Sequence, residues 1–362
     1  MLVYHFFSDP RKGGPHVFVD SIKIYHQVNV KTKTITCGRS LESDLNLFNF
    51  RHIWRPLYIF EIFLNVIFII LNHFKTRPDQ RPDIYHVHSI LNIAPIIASR
   101  FTGIRTVWHI HECLRHYYFF LRLGMFLSKK CKIISVSETA IKQFGLNDIE
   151  LVPASIDTSF WDSRFYANDN TNLEFFIDKD EFILLAVGNL NPLKGFDILL
   201  EALKFIKLPL NLKIVGEELN THKTFSEDLK QAAQKIMSHN NNIIVEFLGR
   251  KNPFEVRNLL FESDCFVLSS KSEACPIALL EAVSMGVPCI ASDVGDTKSI
   301  LSTHQNAKVF TSESVEELTQ AINNMFVSKK NYPNRISFLQ DKYSARKVAG
   351  QLEQIYINLK TE

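Results

Sequence analysis

Residues 268–295, LSSKSEACPIALLEAVSMGVPCIASDVG, leave the chain few ways to fold. The apolar run FVL ending at Leu268 is closed by Ser269 and Ser270. Ala278, Leu279, Ala282 and Val283 then recur at helical spacing. Gly286 and Pro288 end that helix, and Cys289–Ala291 begins a second apolar run. The stretch therefore reads as strand, loop, helix, loop, strand. Glu273 falls in the loop before the helix and Glu281 inside it. The first acid can face a ligand at the helix N-terminus, and the second can reach the same ligand from the helix side. The N-terminus itself offers free backbone N–H groups and a positive dipole end, which suit a phosphate. A ligand with hydroxyls at both ends and a diphosphate between them satisfies all three features. Acids are also favoured near helix starts in their own right, so the rest of the chain has to decide.

The same alternation runs throughout. Leu2–Phe7, Asp83–His88, Thr106–His111, Lys132–Val136, Phe182–Val187, Leu212–Gly216 and Ile243–Gly249 are short apolar runs ending in polar residues or glycine, with helical patterns between several of them. No internal repeat is present. At 362 residues and 46% hydrophobic content this predicts two parallel-sheet α/β domains. A net charge of +3 does not imply nucleic acid as a partner. The six cysteines, at 37, 113, 131, 265, 275 and 289, are scattered and contain no C-x-x-C pair, so they read as thiols of a reducing cytosol. The N-terminus runs directly into LVYHFF, without a signal-peptide pattern.

Arg51–Phe74 is the most hydrophobic stretch, and the chain's 29 Phe hint at apolar surface beyond the core. Its run from Leu57 to Leu71 is shorter than the ~20 apolar residues of a span and is interrupted by Glu61 and Asn65, so a transmembrane helix is rejected. It reads as a buried helix of the first sheet or as a membrane-surface helix with Arg51, Trp54, Arg55 and Tyr58 at its edge. In TVWHIH, period-two spacing puts His109 and His111 on one strand face, with Glu112 following. No third ligand stands near them in the sequence, so a zinc site is not expected. Gly13-Gly14, after the first strand, lets backbone approach a phosphate or sugar closely. Ser137-Glu138 reads as a helix N-cap.

The acid pair, E-x7-E followed by A-x-x-x-G-x-P-x-I-A-S-D, resembles the retaining glycosyltransferases of the large fourth family. Four further segments are similar to that family: Gly13-Gly14, Asp83–His88 (DIYHVH), Leu151–Phe160 (LVPASIDTSF) and Gly188–Asp197 (GNLNPLKGFD). Ala274 and Pro276 stand where the family has glycine, and Asn189 where it has arginine. The resemblance implies a GT-B fold: two Rossmann-like parallel-sheet domains facing across a cleft. They would cover residues 1–160 and 173–342, joined by a linker at Asp162–Asn172, with a last helix in 343–362 crossing back to the first. It also implies transfer of a sugar from a nucleotide-diphospho-sugar donor to a glycan or lipid-linked acceptor, in envelope polysaccharide synthesis, in the cytoplasm or on the inner face of the membrane.

On that resemblance Lys194 and the helix N-terminus near Pro276, Ile277 and Ala278 take the diphosphate. Glu273 takes the sugar and Glu281 the ribose, while His111, or failing it His109, lies near the bond that breaks. Gly13, Gly14, Asn189 and Arg250 complete the donor site. No cofactor and no metal are expected. A nucleotide-sugar epimerase of the same fold and a non-catalytic partner of a glycosyltransferase complex are the alternatives.

Overall fold

The computed structural model describes residues 1–10, 13–26, 30–38, 40, 42–49, 56–113, 118–127, 131–145, 149–164, 181–328, 337 and 339–361. The chain divides into two compact units, Met1–Asp157 with Lys342–Glu362, and Thr158–Asp341.

The first unit is built on β1 (Leu2–Phe7), α1 (Gly14–Lys23), β2 (Lys31–Cys37), β3 (Leu45–Leu47), α2 (Pro56–Lys75), β4 (Ile84–His88), α3 (Ile93–Thr102), β5 (Arg105–Ile110), α4 (Tyr118–Leu127), β6 (Cys131–Ser135), α5 (Glu138–Phe144) and β7 (Glu150–Leu151). Its strands form one parallel sheet in the order β3-β2-β1-β4-β5-β6-β7. Helix α5 starts where the sequence places a cap: Ser137 Oγ accepts the Ala140 N–H at 3.2 Å.

The second unit holds β8 (Phe182–Val187), α6 (Phe196–Leu203), β9 (Leu210–Val215), α7 (Lys223–His239), β10 (Ile243–Gly249), α8 (Pro253–Glu262), β11 (Cys265–Leu268), α9 (Ile277–Ser284), β12 (Cys289–Ser292), α10 (Thr297–Leu301), β13 (Ala307–Phe310) and α11 (Val315–Ser328). Its parallel sheet has the order β10-β9-β8-β11-β12-β13. The last helix, α12 (Ala345–Thr361), belongs to the first unit. Its Val348, Ala349, Leu352 and Tyr356 pack with Phe18 and Ile22 of α1 and with Val3, Ile84 and Val107 of the sheet.

Apolar periodicity explains these elements. β8, FILLAV, is buried along nearly its whole length and meets Leu199, Leu200 and Leu203 of α6 in one core. Each such side chain contributes about 1.5–3 kcal/mol on burial. Both sheets are wound outwards in two directions from a central strand pair, β1/β4 and β8/β11. Ligands of open α/β sheets bind beyond the strand C-termini at such reversal points.

Helix α2 corrects the sequence reading. It runs 20 residues, and its window Tyr58–Lys75 is long and apolar enough to cross a membrane by length and composition. One face nevertheless docks on the first unit. Val66 and Ile69 are in the core, and Asn65 exchanges two hydrogen bonds with the Phe48 backbone, at 2.9 and 3.0 Å. Tyr58 points inward too, donating to the Leu91 carbonyl at 2.8 Å, so it is no edge residue. The opposite face leaves Ile59, Phe60, Phe63, Ile67, Leu71 and Phe74 exposed. Arg51, Trp54 and Arg55 lie outside the described residues.

Candidate active site

In the second unit the loops after β8 and β11, the two strands of the reversal point, meet. Lys194 ends a short 3-10 turn after β8, and Gly195 turns the chain into α6 with φ +63°. A Cβ at Gly195 would lie 2.0 Å from the Ser269 carbonyl oxygen, so that position admits glycine alone. The contact is stapled on both sides. Lys271 N–H donates to the Leu193 carbonyl at 2.8 Å and Ser269 Oγ donates to the Lys194 carbonyl at 3.0 Å. Lys271 Nζ pairs with Asp197 Oδ2 at 2.8 Å, tying α6 to the loop after β11.

The result is a close pair. Lys194 Nζ lies 2.6 Å from Glu273 Oε1, and Ser270 Oγ donates to the same oxygen at 2.8 Å. The Lys194 side chain lies over Gly188, where a Cβ would come within 3.1 Å of its Cδ and Cε. Gly295, at φ +53°, passes so close to the Glu273 and Ala274 carbonyls that a Cβ would approach them to 2.4 and 2.3 Å. Asp296 N–H closes on the Ala274 carbonyl at 2.9 Å. Ala274 and Pro276 replace the family's glycines without strain. Ser89 and Glu313 are the non-glycine residues at positive φ among the described residues, and Pro276 takes φ −72°.

Beside this pair opens α9. Pro276 is its N-cap and supplies no capping side chain. The N–H groups of Ile277 and Ala278 have no hydrogen-bond partner among the described residues, which leaves donors and a positive dipole end for an anion. Glu281 lies on α9, only 9% exposed, and burial pushes its carboxyl up to about 8. Its carboxylate meets no hydrogen-bond donor among the described residues. A buried acid in that condition is costly unless a ligand satisfies it.

Two expected donor residues have other engagements. Asn189 Oδ1 accepts the Glu217 N–H at 3.2 Å, pinning the loop after β8 to that after β9. Arg250 is exposed, 3.8 Å from Glu217.

The first unit has its own constellation at the C-terminal ends of β1, β4 and β5. Gly13 is the N-cap of α1 and Gly14 its first residue. His111 sits just past β5, with Nε2 3.0 Å from His88 Nδ1. His109 is fully buried, held by His86 and the Val152 carbonyl, so His111 is the histidine that can meet a ligand. Glu112 accepts the N–H groups of Ile90 and His111 at 3.1 and 3.2 Å. Burial nevertheless raises its carboxyl above the usual range. These bonds stabilise the turn at Ser89, which takes φ +80° straight after β4.

The sequence reading missed His5, His86 and His88 as neighbours of the H-x-H pair, and with them the third ligand it found lacking. Two groups, His5–His86–His88 and His88–His109–His111, bring ring nitrogens within 4.8 Å of one another. Both nitrogens of His88 and of His109 are already hydrogen-bonded, so metal ligation there would have to break those bonds. The sequence also holds one Asp-x-Asp, Asp178–Asp180, outside the described residues.

Residues 169–337 match the family model for glycosyl transferases group 1. Those residues form a glycosyl transferases group 1 domain, which makes up just under half of the chain. An Escherichia coli relative, UDP-Gal:alpha-D-GlcNAc-diphosphoundecaprenol alpha-1,3-galactosyltransferase, is 24% identical over 322 residues, 80% of this chain and 79% of its own. The putative teichuronic acid biosynthesis glycosyltransferase TuaC of Bacillus subtilis is 27% identical over 269 residues, 70% of this chain and 63% of its own. Anabaena HepE in complex with UDP-glucose superposes with a TM-score of 0.78 at 16% identity, over 99% of this chain and 100% of that one. That likeness confirms the GT-B fold for this glycosyltransferase.

Proposed function

We propose that this glycosyltransferase takes a nucleotide-diphospho-sugar at the β8/β11 reversal point and transfers the sugar, with retention, to a glycan or lipid-linked acceptor of the cell envelope. One observation carries the reading: the Lys194–Glu273 pair stands beside the uncapped N-terminus of α9 and the buried, unpaired Glu281. Lys194 and the Ile277 and Ala278 N–H groups serve the diphosphate, Glu273 the sugar hydroxyls and Glu281 the ribose. The bond from the anomeric carbon to phosphate oxygen breaks, and one to the acceptor oxygen forms. The departing phosphate takes the acceptor proton on the same face, so configuration is kept. Placed charge at the diphosphate supplies the stabilisation. The diphosphoundecaprenol acceptor named for the E. coli relative and the teichuronic acid biosynthesis named for the B. subtilis relative support a lipid-linked or polysaccharide acceptor.

With EDTA present, an α-linked donor should yield an α-linked product by NMR. A β-linked product, or activity restored only by Mg²⁺ or Mn²⁺, contradicts the mechanism. Donor consumption without acceptor would indicate epimerisation.

The exposed stripe Ile59, Phe60, Phe63, Ile67, Leu71 and Phe74 supports a place on the inner membrane face, with exposed Lys75 and Arg77 at its end. Flotation with phosphatidylglycerol vesicles should be strong at low salt, weaker at high salt as charge is screened, and lost in Phe60→Asp/Phe63→Asp. Equal flotation of that variant would remove the stripe from the account.

A further inference from the structure

Four buried imidazoles, His5, His86, His88 and His109, lie side by side on β1, β4 and β5, beneath α1 and α12, and the half-buried His111 continues them just past β5. Strand register sets His5 beside His86 and His88 beside His109. The four strand histidines are removed from water, and His111 keeps partial exposure. Desolvation lowers His5 and His109 to about 3, and holds His86, His88 and His111 well below the usual imidazole value. Each ring is therefore neutral at pH 7, with one N–H donor and one acceptor nitrogen. Their hydrogen bonds then fix which nitrogen holds the proton.

The imidazoles form two rows. In the first, His109 Nε2 lies 3.1 Å from the Val152 carbonyl, which can only accept, so Nε2 carries the proton. His109 Nδ1 must then accept from His86 Nε2 at 3.3 Å, and His86 Nδ1 from the Tyr356 hydroxyl at 2.5 Å. Every group in this row is satisfied with one sense of direction.

The second row is His5 Nδ1 to His88 Nε2 at 3.1 Å, then His88 Nδ1 to His111 Nε2 at 3.0 Å. It has no carbonyl to set its direction, so its ends decide. The inner end, His5 Nε2, is sealed from solvent without a partner. Were protons to point inward along the row, that atom would be a buried N–H with no acceptor, a group that native interiors almost never contain. With protons pointing outward it is only an unused lone pair. The outer end, His111 Nδ1, has no partner among the described residues.

We propose that His5 and His88 are positioning residues that fix His111 as its Nδ1–H tautomer, presenting a hydrogen-bond donor at the end of β5. The ligand atom it suits is an acceptor oxygen, of a sugar hydroxyl or a phosphate. His111 Nε2, occupied by His88, has no lone pair left for a proton, so His111 donates and does not serve as a base. This rests on the reading of His111 as the ligand-facing histidine of the first unit.

The test is a long-range ¹H–¹⁵N correlation spectrum of the ligand-free, full-length protein with ¹⁵N-labelled imidazoles at pH 7, assigned by single substitutions. His5, His88 and His111 should show the Nδ1–H tautomer, the minor one in water, and His86 and His109 the Nε2–H tautomer. In a folded His88→Phe protein, His111 should revert to Nε2–H. A wild-type His111 that is already Nε2–H, or an imidazolium, overturns the proposal whether or not the variant folds. Undiminished turnover of His111→Ala would instead overturn the functional reading of His111, and the spectrum tells that failure from a wrong tautomer.

Discussion

Lys194→Ala should lower donor turnover by about 10²- to 10³-fold, the effect of losing one preorganised charge at a developing oxyanion. The lysine is held, not loose. Gly188 leaves room for its stem, and Glu273 with Ser270 fixes its head within 2.6 Å of a carboxylate oxygen. A diphosphate arriving at the α9 N-terminus meets a cation already in place. The fold should be nearly indifferent, because a pair whose side chains are 27% and 15% exposed stabilises by about 1 kcal/mol or less. Steady-state kinetics with a matched melting curve separates the two effects. Full turnover in the folded variant would remove Lys194 from the site.

Glu281→Gln should make the protein more stable and worse at binding. Burial raises the folded-state carboxyl to about 8, whereas its ordinary value is 4.5. Between those values the folded state holds more protons than the unfolded one, so stability falls as pH rises. The loss is complete near pH 8 and amounts to on the order of 4 kcal/mol. Glutamine keeps the shape and cannot ionise. Wild type and variant should melt together near pH 4.5 and diverge by several degrees at pH 8, the variant higher. A carboxylate accepting hydroxyl protons is worth about 1.5–3 kcal/mol, so above pH 8, where the acid is ionised, nucleotide affinity should fall roughly 10- to 100-fold in the variant. Identical pH–stability curves, or unchanged affinity, would contradict the role.

The second unit was legible because its strands are short apolar runs such as FILLAV and CFVL, closed by glycine or serine. The Lys194 and Glu273 motifs were legible too, but not their contact. They are 79 residues apart, and only the adjacency of β8 and β11 joins them. β2, KTKTITC, was missed because a charged, threonine-rich strand carries little hydrophobic signal. The histidine row was invisible for a related reason. Which residues face one another across a parallel sheet is set by register, and register by the whole sheet. On α2 the apolar length was legible. That Tyr58 and Asn65 turn inward while Phe60 and Phe63 turn out depends on the surface it packs against.

At the β8/β11 reversal point, lysine and helix N-terminus together are proposed to hold a nucleotide diphosphate. Calorimetric titration of UDP and GDP in EDTA tests it most directly, in wild type and in Lys194→Ala. One of the two should bind wild type without any divalent ion, and Lys194→Ala should weaken that binding by about tenfold or more, some 1.4 kcal/mol. Binding that appears only when Mg²⁺ or Mn²⁺ is added, or that is equal in the two proteins, would contradict it.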